Sequence, residues 1–280
     1  MKINIKNLGR YAFNQIVVLI GALNGRVIHI LKHNGVDILN YPEKSWSLVP
    51  FPEQKGDVFN ADNLATVNRH TFIKDPKFLA AKYAAESRWG SGNVRDISWR
   101  LNIILWATGR ALKIANEEAI FIECGTGKGY MAAAIVEYHN FRSSSPSLYL
   151  IDNYSAELIT TEGIATPSPA SFAYSDNVTE VKEYFKSYPS IKVIKGLIPA
   201  VLKQLPELPI AFLHIDLNNA PAERAALRQF QNRLVPGAII IFDDYGGFGG
   251  HDQALVHEDF AIENGKDLLI LPTGQAMIVW

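Results

Sequence analysis

The chain has 280 residues, 48% of them hydrophobic and 20% charged, the balance of an ordinary globular protein and not of a disordered or fibrous one. That length suits one large domain, or a core domain with an N-terminal extension. A formal net charge of -1 supplies no broad positive field, which argues against nucleic acid as the main partner and for a small-molecule substrate.

From Met1 to Val36 there are five Lys or Arg residues and no acid, beside the apolar Tyr11, Phe13 and Ile16–Ile20. This is a basic amphipathic extension, expected to pack on the core or on a sister subunit of a homo-oligomer, with peripheral membrane contact as the other reading. Asn24 and Arg26 end the apolar run far short of the roughly 20 residues that span a bilayer. Lys2, Lys6 and Arg10 precede the run as in a signal peptide, but Asn14 and Gln15 interrupt its start and no convincing small-x-small cleavage site follows, so a signal peptide is not expected. The single cysteine, Cys124, cannot form an internal disulfide, so a reducing, cytoplasmic setting is expected. Pro42, Pro50 and Pro52 interrupt any period between Tyr41 and Asn63, which reads as a linker or irregular cap. The expected division is therefore an extension over 1–61 and a catalytic domain over 62–280.

Ser98 to Ala115 carries Trp99, Ile103, Leu105, Trp106 and Leu112 at helical spacing. Short apolar runs then alternate with helix-like stretches, the pattern of an α/β fold built on a mostly parallel sheet. Strands are predicted at Ala119–Glu123, Leu148–Asp152, Ile191–Lys195, Ile210–Asp216, Ala238–Phe242, Leu268–Leu271 and Ala276–Trp280. Helices are predicted at Met131–Tyr138, Val178–Tyr188, Pro221–Leu234 and Asp252–Glu263. Only Pro272–Gln275 joins the last two strands, too short for a parallel crossover, so they should form an antiparallel hairpin. The Ser-, Thr-, Ala- and Pro-rich stretch Asn153–Asn177 reads as a lid at the ligand edge.

Chemistry concentrates at two places. The first is Ile120-Phe121-Ile122-Glu123-Cys124-Gly125-Thr126-Gly127-Lys128-Gly129-Tyr130, a buried strand turning through glycines into a helix at the edge where parallel sheets bind ligands. A dinucleotide fingerprint needs glycine where Tyr130 stands, and a phosphate loop needs Ser or Thr where Gly129 stands. Glu123 would repel a pyrophosphate but suits a donor carrying an ammonium and a sulfonium, which points to S-adenosylmethionine. Asp152 ends the next strand, where a carboxylate can accept both ribose hydroxyls. Candidate donor-binding residues are thus Glu123, Cys124, Gly125, Thr126, Gly127, Gly129, Tyr130, Asp152 and Asn153, with Gly196 after the third strand. Cys124 itself is expected to pack and not to react, since no base lies near it in sequence.

The second place is Asp216-Leu217-Asn218 after one strand and Asp243-Asp244-Tyr245 after another. Neighbouring strands lie about 4.8 Å apart, so these acids can converge. Converging carboxylates repel unless protonated or bound to a cation, and an all-oxygen set suits Mg²⁺ or another hard divalent ion. The alternative gives Asp216 a helix-capping role and Asp243 and Asp244 the task of orienting the loop Gly246–Gly250. His214 reads as a hydrogen-bonded core residue, and His251 as a loop residue.

Glu123-Cys124-Gly125, the Asp216 strand, Leu234-Val235-Pro236-Gly237, Asp243-Asp244-Tyr245 and Leu271-Pro272-Thr273-Gly274-Gln275 together resemble the macrocin O-methyltransferase family of bacterial sugar methyltransferases, over roughly Asp62 to Trp280. The resemblance implies a seven-stranded, Rossmann-like methyltransferase sheet. It also implies a divalent ion held by Asp216, Asp243 and Asp244, Asp216 as catalytic base, and a covering role for the segment holding His70, Asp75 and Arg100. Asn218 stands where many relatives carry a second acid. The expected reaction is metal-dependent methyl transfer to a hydroxyl of a sugar or glycosylated small molecule. A catechol or phenol acceptor, a non-catalytic donor-binding protein and a nicotinamide-dependent oxidoreductase are the alternatives; Glu123 and Tyr130 speak against the last.

Overall fold

The computed structural model describes residues 58–62, 64–89, 96–116, 118–141, 145–155, 157–159, 165–167, 178–246 and 251–280. The chain divides into two compact units, Met1–Gly56 and Asp57–Trp280, and the described residues belong to the second. The basic extension and nearly all of the proline-interrupted stretch lie outside them, as do 160–164 and 168–177 of the expected lid and 247–250 of the glycine loop. Among the described residues no helix is long and apolar enough to cross a membrane.

A short antiparallel hairpin, β1 (Phe59–Ala61) and β2 (Leu64–Thr66), comes first, with Asp62 in its turn at φ 54°. Helices α1 (Pro76–Trp89) and α2 (Ser98–Ile114) follow. The core then alternates: β3 (Ile120–Cys124), α3 (Tyr130–Tyr138), β4 (Leu148–Asp152), the small hairpin β5 (Glu157–Ile159) and β6 (Ala165–Pro167), α4 (Val178–Phe185), β7 (Ile191–Lys195), β8 (Ile210–Ile215), α5 (Ala220–Phe230), β9 (Leu234–Phe242), α6 (His251–Glu263), β10 (Leu269–Ile270) and β11 (Ala276–Val279).

Seven strands form one sheet in the order β10-β11-β9-β8-β3-β4-β7. The pairs β3–β4, β3–β8, β4–β7 and β8–β9 are parallel, whereas β11 runs antiparallel to both β9 and β10. The predicted terminal hairpin is therefore present. Strand β9 begins earlier than its apolar run suggests. Its ladder with β8 pairs Ile210 with Leu234, then resumes at Phe212–Ile239 past Pro236 and Gly237, the latter at φ 84°.

Alternation along the buried strands sends side chains into two cores, one on each face of the sheet. Phe121, Phe212, Ile239 and Ile241 pack with Leu101, Ile104, Ile135, Val181 and Phe185 from α2, α3 and α4. Ile120, Ile122, Leu213 and Ile240 pack with Leu227, Phe230, Val256 and Phe260 from α5 and α6. Each such side chain contributes about 1.5–3 kcal/mol by leaving water. From β3 the chain builds outward first through β4 and β7, then returns to the other side of β3 with β8. That reversal opens a crevice beyond the C-terminal ends of β3 and β8.

Candidate active site

One cavity of about 400 Å³ occupies this crevice. At one end the turn after β3 is fixed by backbone bonds: Gly125 N–H donates to Ile151 O at 2.8 Å, and Asp216 N–H donates to Cys124 O at 2.8 Å. Gly125 has φ 91°, and a Cβ on it would lie 1.6 Å from the Asp216 carbonyl oxygen. Only glycine fits between these strand ends. Gly127, at φ 53°, has nothing within 4 Å of an added Cβ and so leaves space open beside the turn. Asp152 accepts from Gly127 N–H at 2.8 Å through Oδ2 and from Tyr154 N–H at 2.6 Å through Oδ1. Burial raises its pKa, and these donors oppose the rise.

Glu123 is buried, with Oε1 3.3 Å from His214 Nδ1 and Oε2 lacking a hydrogen-bond partner. Burial raises its pKa, partly countered by His214. A buried carboxylate oxygen with no donor is costly, and a cation offsets that cost. The unpartnered Glu123 oxygen, the open space at Gly127 and the spare lone pairs of Asp152 fit a cationic donor with ribose hydroxyls.

At the other end Asp216 and Asp244 are half-buried and Asp243 is buried, and one oxygen from each lies within 4.8 Å of the others. Asp243 N–H continues the ladder to Ile215 O at 2.9 Å. Its Oδ2 receives Arg100 Nη1 at 2.7 Å, its Oδ1 receives Gln275 Nε2 at 2.7 Å, and Arg100 also reaches its carbonyl at 3.0 Å. The other side of the Arg100 guanidinium donates from Nε to Asp62 Oδ2 at 2.6 Å. His214 Nε2 stands 3.7 Å from Asp243 Oδ1, an electrostatic contact.

The titration pattern follows. Burial would raise the Asp243 pKa, but His214 and Arg100 hold it below the usual carboxylate range. Asp244, under burial and beside Asp243, is pushed up to about 6. Burial, Asp243 and Asp244 together lift Asp216 well above its ordinary value. Burial would lower His214, yet Asp243 and Glu123 on either side bring it to about 10. Two carboxyls thus resist ionising together in the absence of a cation. Three hard oxygens of this kind, each with lone pairs to spare, fit a divalent ion of the Mg²⁺ type.

Of the predicted donor residues, Glu123, Gly125, Thr126, Gly127, Tyr130, Asp152, Asn153 and Gly196 line the same cavity as Asp216, Asp243 and Asp244. Cys124 and Gly129 do not. Cys124 is fully buried among Ile151 and Ile215, where burial pushes its thiol up. Gly129 starts α3 at φ 84° with Phe185 2.7 Å from where a Cβ would sit. The helix-capping alternative for Asp216 fails, because Asn219 caps α5 through Ala222 N–H at 2.9 Å. His251 is the first residue of α6 and not a loop residue.

Sequence reasoning left Arg100 unassigned and passed over Asp62, Arg88, Trp89 and Ile97, all of which line the cavity. A signal for Arg100 existed. It shares a helical stripe with Ile104, Thr108 and Ala111, all buried, and a guanidinium in an apolar stripe requires buried acids.

The fold is the Rossmann-like one of class I methyltransferases. Residues 122–245 match the family model described as a methyltransferase domain. Among solved structures, the calicheamicin methyltransferase CalS11 superposes with a TM-score of 0.55 at 14% identity, covering 81% of this chain and 99% of that one. Its apo form, a TDP-rhamnose 3'-O-methyltransferase, gives 0.50 at 14% identity over 74% and 95%. The O-methyltransferase NovP gives 0.52 at 15% identity over 64% and 78%. No curated protein matches the chain in sequence.

Proposed function

We propose that this chain transfers the methyl group of S-adenosylmethionine to a hydroxyl of a sugar or glycosylated small molecule, with Mg²⁺ or a similar divalent ion held by Asp216, Asp243 and Asp244. The observation that carries this reading is the convergence of those three carboxylates within 4.8 Å in the cavity that also holds Glu123 and Asp152. The similarity to an O-methyltransferase and to a TDP-rhamnose 3'-O-methyltransferase supports a hydroxyl, and a sugar, as acceptor.

In this reading a bound divalent ion lowers the pKa of the acceptor hydroxyl. The rest belongs to the chain. Gly125 and Gly127 let the donor approach the backbone, Asp152 accepts from its ribose, and the Glu123 carboxylate faces its positive charge. Asp216 receives the hydroxyl proton as the new C–O bond forms and the S–CH₃ bond breaks, its electron pair leaving on sulfur. Arg100 and Gln275 lock the orientation of Asp243, and such positioning supplies much of the rate.

Purified protein, labelled donor and a panel of glycosides and catechols test the reading. Product should form on a glycoside, stop with chelator and return with Mg²⁺, while donor binding survives chelation. Asp243→Asn should be partly rescued by high Mg²⁺, Asp216→Asn less. Full turnover in chelator sinks the metal role, product only on catechols sinks the sugar, and donor binding without turnover on any acceptor sinks catalysis.

A further inference from the structure

Behind the three aspartates lies a polar pair that the transfer reaction above does not use. Glu223, in the first turn of α5, and His257, on α6, are each only 1% exposed, and His257 Nε2 stands 2.6 Å from Glu223 Oε2. At that distance an imidazole N–H donates to a carboxylate. The same two helices also meet the sheet through Leu227, Phe230, Val256 and Phe260. An apolar pair would pack between them as well or better than a buried polar one. What the polar pair adds is direction, since a hydrogen bond fixes relative position and apolar contact does not.

The pair joins the two connections that carry the aspartates. Asp216 leads from β8 towards α5, and Asn219 caps that helix, accepting from Ala222 N–H at 2.9 Å through its side chain and from Glu223 N–H at 3.0 Å through its carbonyl. Asp243 and Asp244 lead from β9 towards α6, flanked in sequence by Phe242 and Tyr245. The His257 ring is stacked on Phe242, with centroids 4.0 Å apart and planes at 19°, and Tyr245 donates its hydroxyl to Glu258 Oε1 at 2.6 Å. Helix α6 thus grips the residue before Asp243 and the residue after Asp244, and His257 carries that grip across to α5. Asp243 has its own anchors in Arg100 and Gln275. The Asp216 carboxylate receives Asn218 Nδ2 at 3.5 Å, a weak constraint.

We infer that Glu223 and His257 are positioning residues of the metal site: their bond sets the distance between Asp216 and the Asp243–Asp244 pair, so that one divalent ion spans both connections. Neither residue lines the cavity, so both act through the aspartates and not on donor or acceptor. Small displacements matter, because an ion of the Mg²⁺ type tolerates little departure from its preferred geometry. This rests on the metal reading above and deepens it.

The test uses Mn²⁺ as probe on the full chain, its binding followed by electron paramagnetic resonance, with S-adenosylhomocysteine affinity read by calorimetry on the same preparations. The double variant Glu223→Leu with His257→Phe replaces the polar pair by an apolar one, which should fold with stability to urea equal to the parent's or higher. It should nonetheless bind Mn²⁺ about tenfold more weakly, while its S-adenosylhomocysteine affinity stays within about twofold. Glu223→Gln keeps an oxygen for the His257 N–H and gives up the charge, so its Mn²⁺ affinity should stay within about threefold of the parent's. A double variant that folds and binds Mn²⁺ like the parent overturns the inference, as does one that loses both ligands equally. A fall in Glu223→Gln as large as in the double variant also overturns it, because the charge of Glu223 and not its bond would then be acting on the ion. Absence of a saturable Mn²⁺ site in the parent sinks the metal reading itself, and the inference with it.

Discussion

The two ends of the cavity are built by different means. The donor end is nearly continuous in sequence, from Glu123 to Tyr130 with Asp152 beside it, and is held by main-chain bonds from Gly125, Gly127 and Tyr154. The aspartate end draws on the β1–β2 turn, α2, β8, β9 and the residue before β11. Side chains join its parts: Asp62 to Arg100, Arg100 to Asp243, and Gln275 to Asp243. Backbone construction resists side-chain substitution until a Cβ will not fit. Side-chain construction fails one charge at a time.

Gly125→Ala should give the largest effect. The new Cβ would meet a backbone oxygen at 1.6 Å with φ 91°, so neither partner can yield cheaply, and a loss of about 4 kcal/mol or more is expected. Gly127→Ala, in open space at φ 53°, should cost only about 1–2 kcal/mol. Urea denaturation of both variants measures the contrast, and equal losses would refute it.

Next is Arg100→Leu, which strands Asp62 and Asp243 without their shared cation and should cost about 3–5 kcal/mol. A double-mutant cycle with Asp62→Asn should show strong coupling; additive losses would mean that the bridge is not a unit. Asp152→Ala should weaken binding of S-adenosylhomocysteine by about 1.5–3 kcal/mol, roughly ten- to hundredfold. Calorimetry reads this directly, and unchanged affinity in a folded variant would place the ribose elsewhere.

The smallest effect lies away from both ends. His139, at the C-terminus of α3, has Nε2 2.8 Å from Thr108 Oγ1 and 3.1 Å from Leu105 O, and burial lowers its pKa from 6.5 to about 4. The unfolded chain takes up this proton first as pH falls. The contribution to stability is therefore complete above pH 6.5 and is lost between about 6.5 and 4. The Tm of the parent should fall more steeply across that window than the Tm of His139→Gln, with no difference in slope above pH 7. Parallel curves would show that His139 does not titrate with folding.

The same contrast explains what the sequence disclosed. Buried parallel strands are unbroken apolar runs, so β4 and β7 fall where predicted, residue for residue, while β3 is shifted by one residue at both ends and β8 stops one residue short. The glycine turn is legible because its constraints are local. Helix α1 was hidden, since Ala81, Ala85 and Arg88 share its buried face with Phe78, a stripe too small and too polar to stand out by period. The hairpin β1–β2 was hidden by its three-residue strands beside a proline-rich stretch. Arg100 and Gln275 were legible as residues but not as partners, because their bonds to Asp243 cross 143 and 32 positions.

Strand β11 is the last of the described strands in chain order, yet it lies inside the sheet, between β9 and β10, and Gln275 immediately precedes it. Synthesis runs the other way from assembly. As the chain leaves the ribosome, β9 waits with one edge bare until residues 276–279 emerge, and Asp243 waits for its amide partner over the same interval. Until β11 pairs, β9 keeps an exposed strand edge, a state open to mispairing with other chains. The aspartate end is complete only once β11 has paired with β9 and brought Gln275 to Asp243.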